Sequence, residues 1–177
     1  MSQLVGADKL IAKLKRLSSQ RQTEIVARAV HNAAKNVVQA DAKLRAPVND
    51  EDLRTGIKVR MSKSGNPRAE VVSTSDHGAY VELGTGPKGA ANHAGVSPEV
   101  SVSYRSTPWL IPTTAISYKN AIRYKFPLVL TSMGAYYRTY GQAAQPYLYP
   151  ALKDNTERVT NNISKYVKRK LVEEVTK

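Results

Sequence analysis

The feature that most constrains this chain is a long helical repeat that stops at a proline. Between residues 22 and 45, apolar side chains recur at spacings of three and four, which is typical of one face of an α-helix. The face consists of Val26, Val30, Ala33, Val37, Ala40 and Leu44. We expect Pro47 to end this helix, and the small alanines to let another element approach closely.

A shorter amphipathic stretch, residues 7–20, comes before the long repeat. It places Leu10, Ile11, Leu14 and Leu17 on one helical face. Two arrangements are open. Either Thr23 caps the long helix, or the two helices run together with a kink at Ser18–Ser19.

After Pro47 the apolar period changes from helical spacing to alternation. Ile57, Val59 and Met61 alternate with Lys58, Arg60 and Ser62. Ala69, Val71 and Ser73 alternate with Glu70, Val72 and Thr74. This pattern predicts two half-buried strands paired as a hairpin. The apolar segment from Gly78 to Leu83 is either a third short strand or a helical turn.

Residues 85–145 form a long segment that we interpret as an insertion into the core of a single domain, residues 1–177. Alternation at Val100, Val102 and Tyr104 predicts one strand in it, and residues 113–124 fit a short helix. Helical spacing returns from Tyr147 onward. The predicted face of this C-terminal helix consists of Leu148, Leu152, Val159, Ile163, Tyr166, Val167 and Leu171.

The strongest signal in the composition is a formal net charge of +13. A chain of this charge is attracted to polyanions such as DNA or RNA, although an acidic protein partner would also fit. There is no cysteine, and no apolar run reaches the ~20 residues of a membrane span. We expect a protein without a signal peptide that is used in the cytoplasm or in a particle assembled there.

The glycine-rich stretch around GTGPKG fits no catalytic motif. It differs from a phosphate-binding loop because Pro87 removes an N–H donor and no Ser or Thr follows Lys88. His77 and His93 lack the spacing of metal ligands, and Glu82 and Asp76 form no recognisable acid–base pair. The sequence therefore predicts neither an enzyme nor a metal or cofactor site.

Three motifs together resemble the gp-ten-like family, the small neck or minor tail proteins of long-tailed phages. They are RAPVNDEDLRTGIKV at residues 45–59, HGAYVELGTG at residues 77–86, and AQPYLYPAL at residues 144–152. Two departures accompany the resemblance. Asp50-Glu51 stand where the family commonly has Thr-Gly, and the span between the second and third motifs is long.

The resemblance implies an α+β fold, with the long N-terminal helix and the C-terminal helix packed on a small antiparallel sheet. It also implies a structural role in the virion, at the head–tail junction, after assembly in the host cytoplasm. The subunits would form a homo-oligomeric ring, hexameric to match the tail. This ring would contact the connector or stopper and the tail-tube or tail-terminator proteins, and double-stranded DNA would pass through its lumen.

For a ring protein, the tyrosines and the second motif become candidates for subunit contacts. Glu82 is either an exposed strand residue or the partner of a basic residue on a neighbouring subunit, and Trp109 contacts either its own core or a partner. We expect Gly84 and Gly86 to end a sheet and start an arm, and Pro146 and Pro150 to flank a helix entry. The predicted interface residues are Tyr80, Glu82, Gly84, Thr85, Trp109, Tyr136, Tyr137 and Tyr140.

The basic side chains of the strands and the insertion are candidates to face DNA in the lumen. They are Lys58, Arg60, Lys63, Lys88, Arg105, Lys119, Arg123 and Lys125. The alternative hypothesis is a non-specific nucleic-acid-binding protein from another system, which the charge and the tyrosines would also fit.

Overall fold

A computed structural model of the chain describes residues 19–48, 51–62 and 66–176. These described residues form two compact units, one within residues 1–75 and 150–177 and the other within residues 76–149. The predicted insertion, residues 85–145, lies within the second unit. The predicted first helix, residues 7–20, lies outside the described residues except for its last two positions.

The long N-terminal helix is confirmed, and it contains one wide turn. Helix α1 (Ser19–Ala33) continues through a π-helical segment (Ala34–Gln39) into α2 (Ala40–Arg45). It ends just before Pro47, as predicted. The capping role for Thr23 is wrong, because Thr23 lies inside α1 and donates a hydrogen bond to the Ser19 carbonyl at 2.9 Å.

The predicted apolar face of this helix is correct at Ala33 and Val37 and wrong at Val26, Ala40 and Leu44, which are exposed. The π-helical segment accounts for the last two errors. A π-helical turn holds more residues than the 3.6 of an α-helix, so it rotates every later position around the axis. The buried side chains are instead Ile25, Ala29, Ala33, Ala34, Val37, Val38 and Ala42.

The first unit also contains a short helix and a two-stranded sheet. Helix α3 (Glu51–Thr55) leads into β1 (Ile57–Met61), which pairs antiparallel with β2 (Ala69–Ser73), so the predicted hairpin strands are confirmed. Ile57 is fully buried, and the Gln39 side-chain amide donates to its carbonyl at 2.7 Å. Both strands contact the π-helical segment.

The predicted C-terminal helix is two helices, α7 (Leu148–Lys153) and α8 (Thr156–Thr176). Leu152 is exposed, contrary to the predicted face. The break coincides with the buried side chain of Asn155, whose Nδ2 donates to the Asp41 carboxylate at 2.8 Å and to the Ala151 carbonyl at 2.9 Å. Helix α8 packs against α1, where Arg21 forms an ion pair with Glu174 at 2.5 Å.

The Asp41 carboxylate also accepts a hydrogen bond from Arg45 Nε at 2.8 Å. This bond raises the pKa of the Arg45 guanidinium, which also pairs with Asp154 at 2.9 Å. The C-terminal end of α2 is therefore joined to the junction of α7 and α8 by one polar network.

The second unit consists of short helices and a three-stranded sheet. Helices α4 (Gly78–Leu83) and α5 (Gly86–Ala91) come first. Residues 78–83, for which the sequence left a strand or a helical turn open, are therefore helical. Strands β3 (Trp109–Pro112), β4 (Leu128–Thr131) and β5 (Gly134–Thr139) form an antiparallel sheet in the order β3-β5-β4. Helix α6 (Tyr118–Arg123) lies inside the predicted range 113–124.

The strand predicted at residues 100–104 is wrong, because this segment belongs to neither sheet. The half-buried ring of Tyr104 is fixed by a different contact, since its hydroxyl donates to the Leu83 carbonyl at 2.7 Å. The α+β fold class is confirmed: long N-terminal and C-terminal helices accompany small antiparallel sheets.

We predict that Asn155→Ala lowers the free energy of unfolding by about 1–3 kcal/mol, because it removes a buried donor shared by Asp41 and Ala151. Asn155 is only 4% exposed. Urea unfolding followed by circular dichroism measures the change. Asn161→Ala, at an exposed position of the following helix α8, is the matched control; equal destabilisation of the two variants would contradict the prediction.

Candidate interface site

The second unit is organised around one buried carboxylate, that of Glu82 in α4. Its side chain is 9% exposed, and it accepts three backbone hydrogen bonds. Oε2 accepts from the Tyr147 and Leu148 amides at 2.7 and 2.9 Å, and Oε1 accepts from the Tyr149 amide at 3.0 Å. The carboxylate therefore satisfies N–H groups at the start of α7, where a helix leaves its first amides without internal partners.

The structure contradicts one of the two interpretations of Glu82 that the sequence offered. It is not an exposed strand residue, because it is buried and helical. Its burial is also explained without a neighbouring subunit, since charge-assisted bonds to amides compensate for desolvation of a carboxylate. A carboxylate at a helix N-terminus is further favoured by the helix dipole.

Two more contacts join the second and third sequence motifs. The hydroxyl of the fully buried Tyr147 donates a hydrogen bond to the Gly78 carbonyl at 3.3 Å. The backbone amide of Gln145 donates to the Val81 carbonyl at 2.8 Å. The predicted helix entry is confirmed, because α7 begins at Leu148, between Pro146 and Pro150. The two motifs are thus parts of one contact cluster, although about sixty residues separate them.

The glycines of the second motif form a tight junction between α4 and α5. Gly84 and Gly86 have φ angles of 77° and 59°, which L side chains rarely adopt. A Cβ on Gly84 would lie 2.7 Å from the Ala144 nitrogen, and one on Gly86 would lie 2.7 Å from the Trp109 ring. Between them, Thr85 exchanges two backbone hydrogen bonds with Gln142.

The prediction that this glycine stretch ends a sheet and starts an arm is therefore wrong. It follows a helix and leads into another short helix, α5. Backbone bonds from Thr85 to Gln142 and from Lys88 to the Tyr140 carbonyl fix it against the end of the segment after β5.

A cleft of about 710 Å³ opens beside this junction, and all of its lining residues belong to the second unit. We call it the aromatic cleft. Its lining includes His77, Ala79, Tyr80, Leu83, Tyr104, Arg105, Trp109 and Gln142. The Arg105 guanidinium lies 5.6 Å from the centroid of the Trp109 ring, a cation–π distance.

The structure places the predicted interface residues in different environments. Tyr80, Gly84, Thr85 and Trp109 all line the aromatic cleft. Tyr140 is exposed, Tyr136 is half-buried, and Tyr137 is buried in the sheet. Trp109 contacts its own unit through Gly86 and Arg105, which favours the own-core interpretation of this residue.

The predicted DNA-facing residues are divided between the two units. Lys58 and Arg60 are exposed on β1 in the first unit. Lys63 lies outside the described residues. The remaining five are exposed in the second unit: Lys88, Arg105, Lys119, Arg123 and Lys125.

Sequence reasoning missed an exposed apolar surface on β4 and the turn that follows it. Leu128, Leu130 and Met133 are 57%, 78% and 84% exposed. We call residues 128–136 the apolar hairpin. The signal was present in the sequence, since no charged residue occurs between Lys125 and Arg138.

The described residues offer neither a metal cluster nor a membrane span. Within residues 19–48, 51–62 and 66–176, no group of three or more His, Asp or Glu side chains is placed to hold a metal ion. In the same part of the chain, no helix is long and apolar enough to cross a membrane.

Part of the chain matches a protein-family model. Residues 8–84 match the HK97-gp10-like family model, described as "Bacteriophage HK97-gp10, putative tail-component". The resemblance proposed from the sequence motifs is confirmed over that segment. The matched family is that of a structural component of the phage tail. The third motif lies beyond the match and is joined to the matched segment through Glu82. No curated protein and no solved structure matches the chain significantly.

We predict that Glu82→Gln lowers the free energy of unfolding by about 1–3 kcal/mol, because the amide NH₂ replaces an oxygen that faces backbone donors. Thermal or urea unfolding measures the destabilisation. Glu99→Gln, at an exposed acidic position of the same unit, is the control and is expected to stay within ~0.5 kcal/mol of wild type. Unchanged stability of Glu82→Gln would exclude the capping role.

Proposed function

We propose that the protein is a structural virion protein that completes the head-proximal end of a phage tail and joins it to the head connector. The observation that carries this proposal is the match of residues 8–84 to a phage tail-component family. The third motif lies beyond the matched segment and contacts it through Glu82 and Tyr147.

The proposed assembly is an oligomeric ring, hexameric to match the tail, that contacts the connector or stopper on one side and the tail-tube or tail-terminator proteins on the other. Exposed aromatic side chains such as Tyr80 and Tyr140 support subunit contacts, because tyrosine is enriched at protein interfaces.

The lumen of this ring is proposed to conduct double-stranded DNA. A net charge of +13 supports passage of a polyanion, and no Asp or Glu occurs between Glu99 and Asp154. Phosphate contacts carry no sequence information, so such a lumen would let any DNA sequence pass.

A second candidate function is non-specific nucleic-acid binding without a virion role. Arg105 over the Trp109 ring, in a cleft that also contains Tyr80 and Tyr104, favours it. Aromatic and arginine surfaces stack single-stranded bases without sequence preference.

The first experiment is electron microscopy of lysates from a phage that lacks only this gene. We expect DNA-filled heads beside separate tails of normal length, because a joining protein is missing only from the junction between them. Complementation in trans is the control. Intact virions would contradict the joining role and favour the second candidate.

The affinity for DNA should fall steeply as the salt concentration rises, and this salt dependence should come from basic residues of the predicted DNA-facing set. We expect Lys119→Ala/Lys125→Ala to reduce the slope of log K against log salt by about one for each phosphate that the protein no longer neutralises. Fluorescence anisotropy with duplex DNA over a salt series measures it. Arg28→Ala/Lys35→Ala, at exposed positions outside the predicted DNA-facing set, is the control; equal slopes for both variants would exclude a lumen role for the pair.

A further inference from the structure

Helix α6 and the turn that follows it, residues 117–126, form an exposed segment of the second unit, which we call the α6 turn. Every side chain of this segment is exposed except those of Ala121, which is buried, and Phe126, which is half-buried. Most of the exposed ones are of the kinds that contact phosphate oxygens in protein–DNA complexes. They are Ser117, Tyr118, Lys119, Asn120, Arg123, Tyr124 and Lys125.

The charge of the α6 turn is all of one sign. Lys119 and Arg123 stand four residues apart on α6, a spacing at which like charges destabilise a helix. The exposed Arg138 lies beside the end of this segment, because its backbone amide donates to the Pro127 carbonyl at 2.9 Å. No Asp or Glu occurs between Glu99 and Asp154, so this part of the sequence concentrates positive charge instead of balancing it.

Lys125 has a backbone conformation that lysine rarely adopts. Its φ angle is 55°, and within residues 19–48, 51–62 and 66–176 no other non-glycine residue has a positive φ. Lys125 ends α6 in a Schellman motif, in which its amide donates to the Ile122 carbonyl and the Phe126 amide donates to the Ala121 carbonyl, both at 2.9 Å. Glycine is the usual residue at this position, so the chain carries a lysine there at a cost in stability.

The backbone of the α6 turn is closed at both ends. At its start, the Ser117 hydroxyl accepts a hydrogen bond from the Asn120 amide at 3.3 Å, which is an N-terminal cap. At its end, beside the Schellman bonds, the rings of Tyr124 and Phe126 lie 5.7 Å apart between centroids. A surface that is already ordered loses less entropy on binding. Strained positions held by their surroundings cluster at ligand-binding sites, and the charge of this segment selects an anionic ligand.

We propose that the α6 turn, together with Arg138, contacts the phosphate backbone of duplex DNA. Phosphates would neutralise the repulsion between Lys119 and Arg123, and the left-handed turn sets the direction in which the Lys125 side chain leaves the backbone. The proposal rests on the DNA-conducting part of the proposed function and names the part of the chain that meets the DNA. It also adds Arg138, which the predicted DNA-facing set does not contain.

Lys125→Gly in the full chain is the decisive variant, because the proposal predicts opposite effects on stability and on binding. Glycine adopts a positive φ without steric cost, so we expect the midpoint of thermal unfolding to rise by about 2–4 °C. We expect the dissociation constant for a short labelled duplex at 0.1 M salt to rise roughly fivefold to tenfold, because losing one phosphate contact removes about 0.9 from the salt slope. Fluorescence anisotropy measures the affinity.

Matched variants separate the charge of the lysine from its backbone conformation. Lys125→Gln removes the charge but keeps a side chain at the positive φ, so it should bind DNA as weakly as Lys125→Gly without the gain in stability. Lys125→Arg keeps the charge and should bind as wild type does. Arg138→Gln should weaken binding by a similar factor. Lys35→Gln removes one charge at an exposed position of the first unit and should leave the affinity unchanged.

Four results would overturn the proposal. Wild-type affinity for DNA in Lys125→Gly or in Arg138→Gln would remove the contact. An equal loss of affinity in Lys35→Gln would show that binding follows net charge and not this segment. A Lys125→Gly variant that is no more stable than wild type would show that the turn carries no strain. Vesicles of phosphatidylglycerol test a lipid surface, and variants that lose binding to vesicles but not to DNA would assign the segment to a bilayer.

These outcomes are independent of the virion test. A joining defect in the deletion phage, with DNA affinity unchanged in the α6-turn variants, would support the joining role and remove this contact. Weakened DNA binding in the variants of a protein whose deletion leaves intact virions would do the reverse.

Discussion

The second unit depends on one buried carboxylate that accepts hydrogen bonds from backbone amides. Glu82 reaches from α4 to the first amides of α7, and the Tyr147 and Gln145 contacts reinforce the same junction. Together they close a segment of about sixty residues, and the entropy of closing so long a segment grows only slowly with its length. The segment between the two motifs can therefore carry a sheet of its own, with both of its ends fixed at one place.

That junction also explains where the candidate interface lies. Gly84 and Gly86 join α4 to α5 with positive φ angles, which L side chains rarely adopt. Beside them, Thr85 pairs with Gln142 through backbone hydrogen bonds. The aromatic cleft is built on these elements, while the apolar hairpin lies at the far end of β5. The second unit thus carries an aromatic cleft and an exposed apolar hairpin near opposite ends of β5.

Elements defined by local periodicity were predictable, and the orientation of side chains was less so. The helix that ends before Pro47 and the strands Ile57–Met61 and Ala69–Ser73 follow directly from apolar spacing. The buried face of the helix does not, because the π-helical turn rotates Ala40 and Leu44 outward and Ala42 inward. Nothing in a spacing rule that assumes 3.6 residues per turn signals such a rotation.

The sequence by itself was enough to predict the helix entry between Pro146 and Pro150 and to show the resemblance confirmed over residues 8–84, which in turn implied the α+β class. Only the tertiary structure revealed that Glu82 caps a helix whose first bonded amide is 65 residues further along the chain, that Tyr147 is fully buried, and that Leu130 and Met133 remain exposed. The physical reason is that periodicity and turn chemistry act between near neighbours in the chain. The partner of a buried charge and the cover of an apolar side chain depend on segments that meet only after folding.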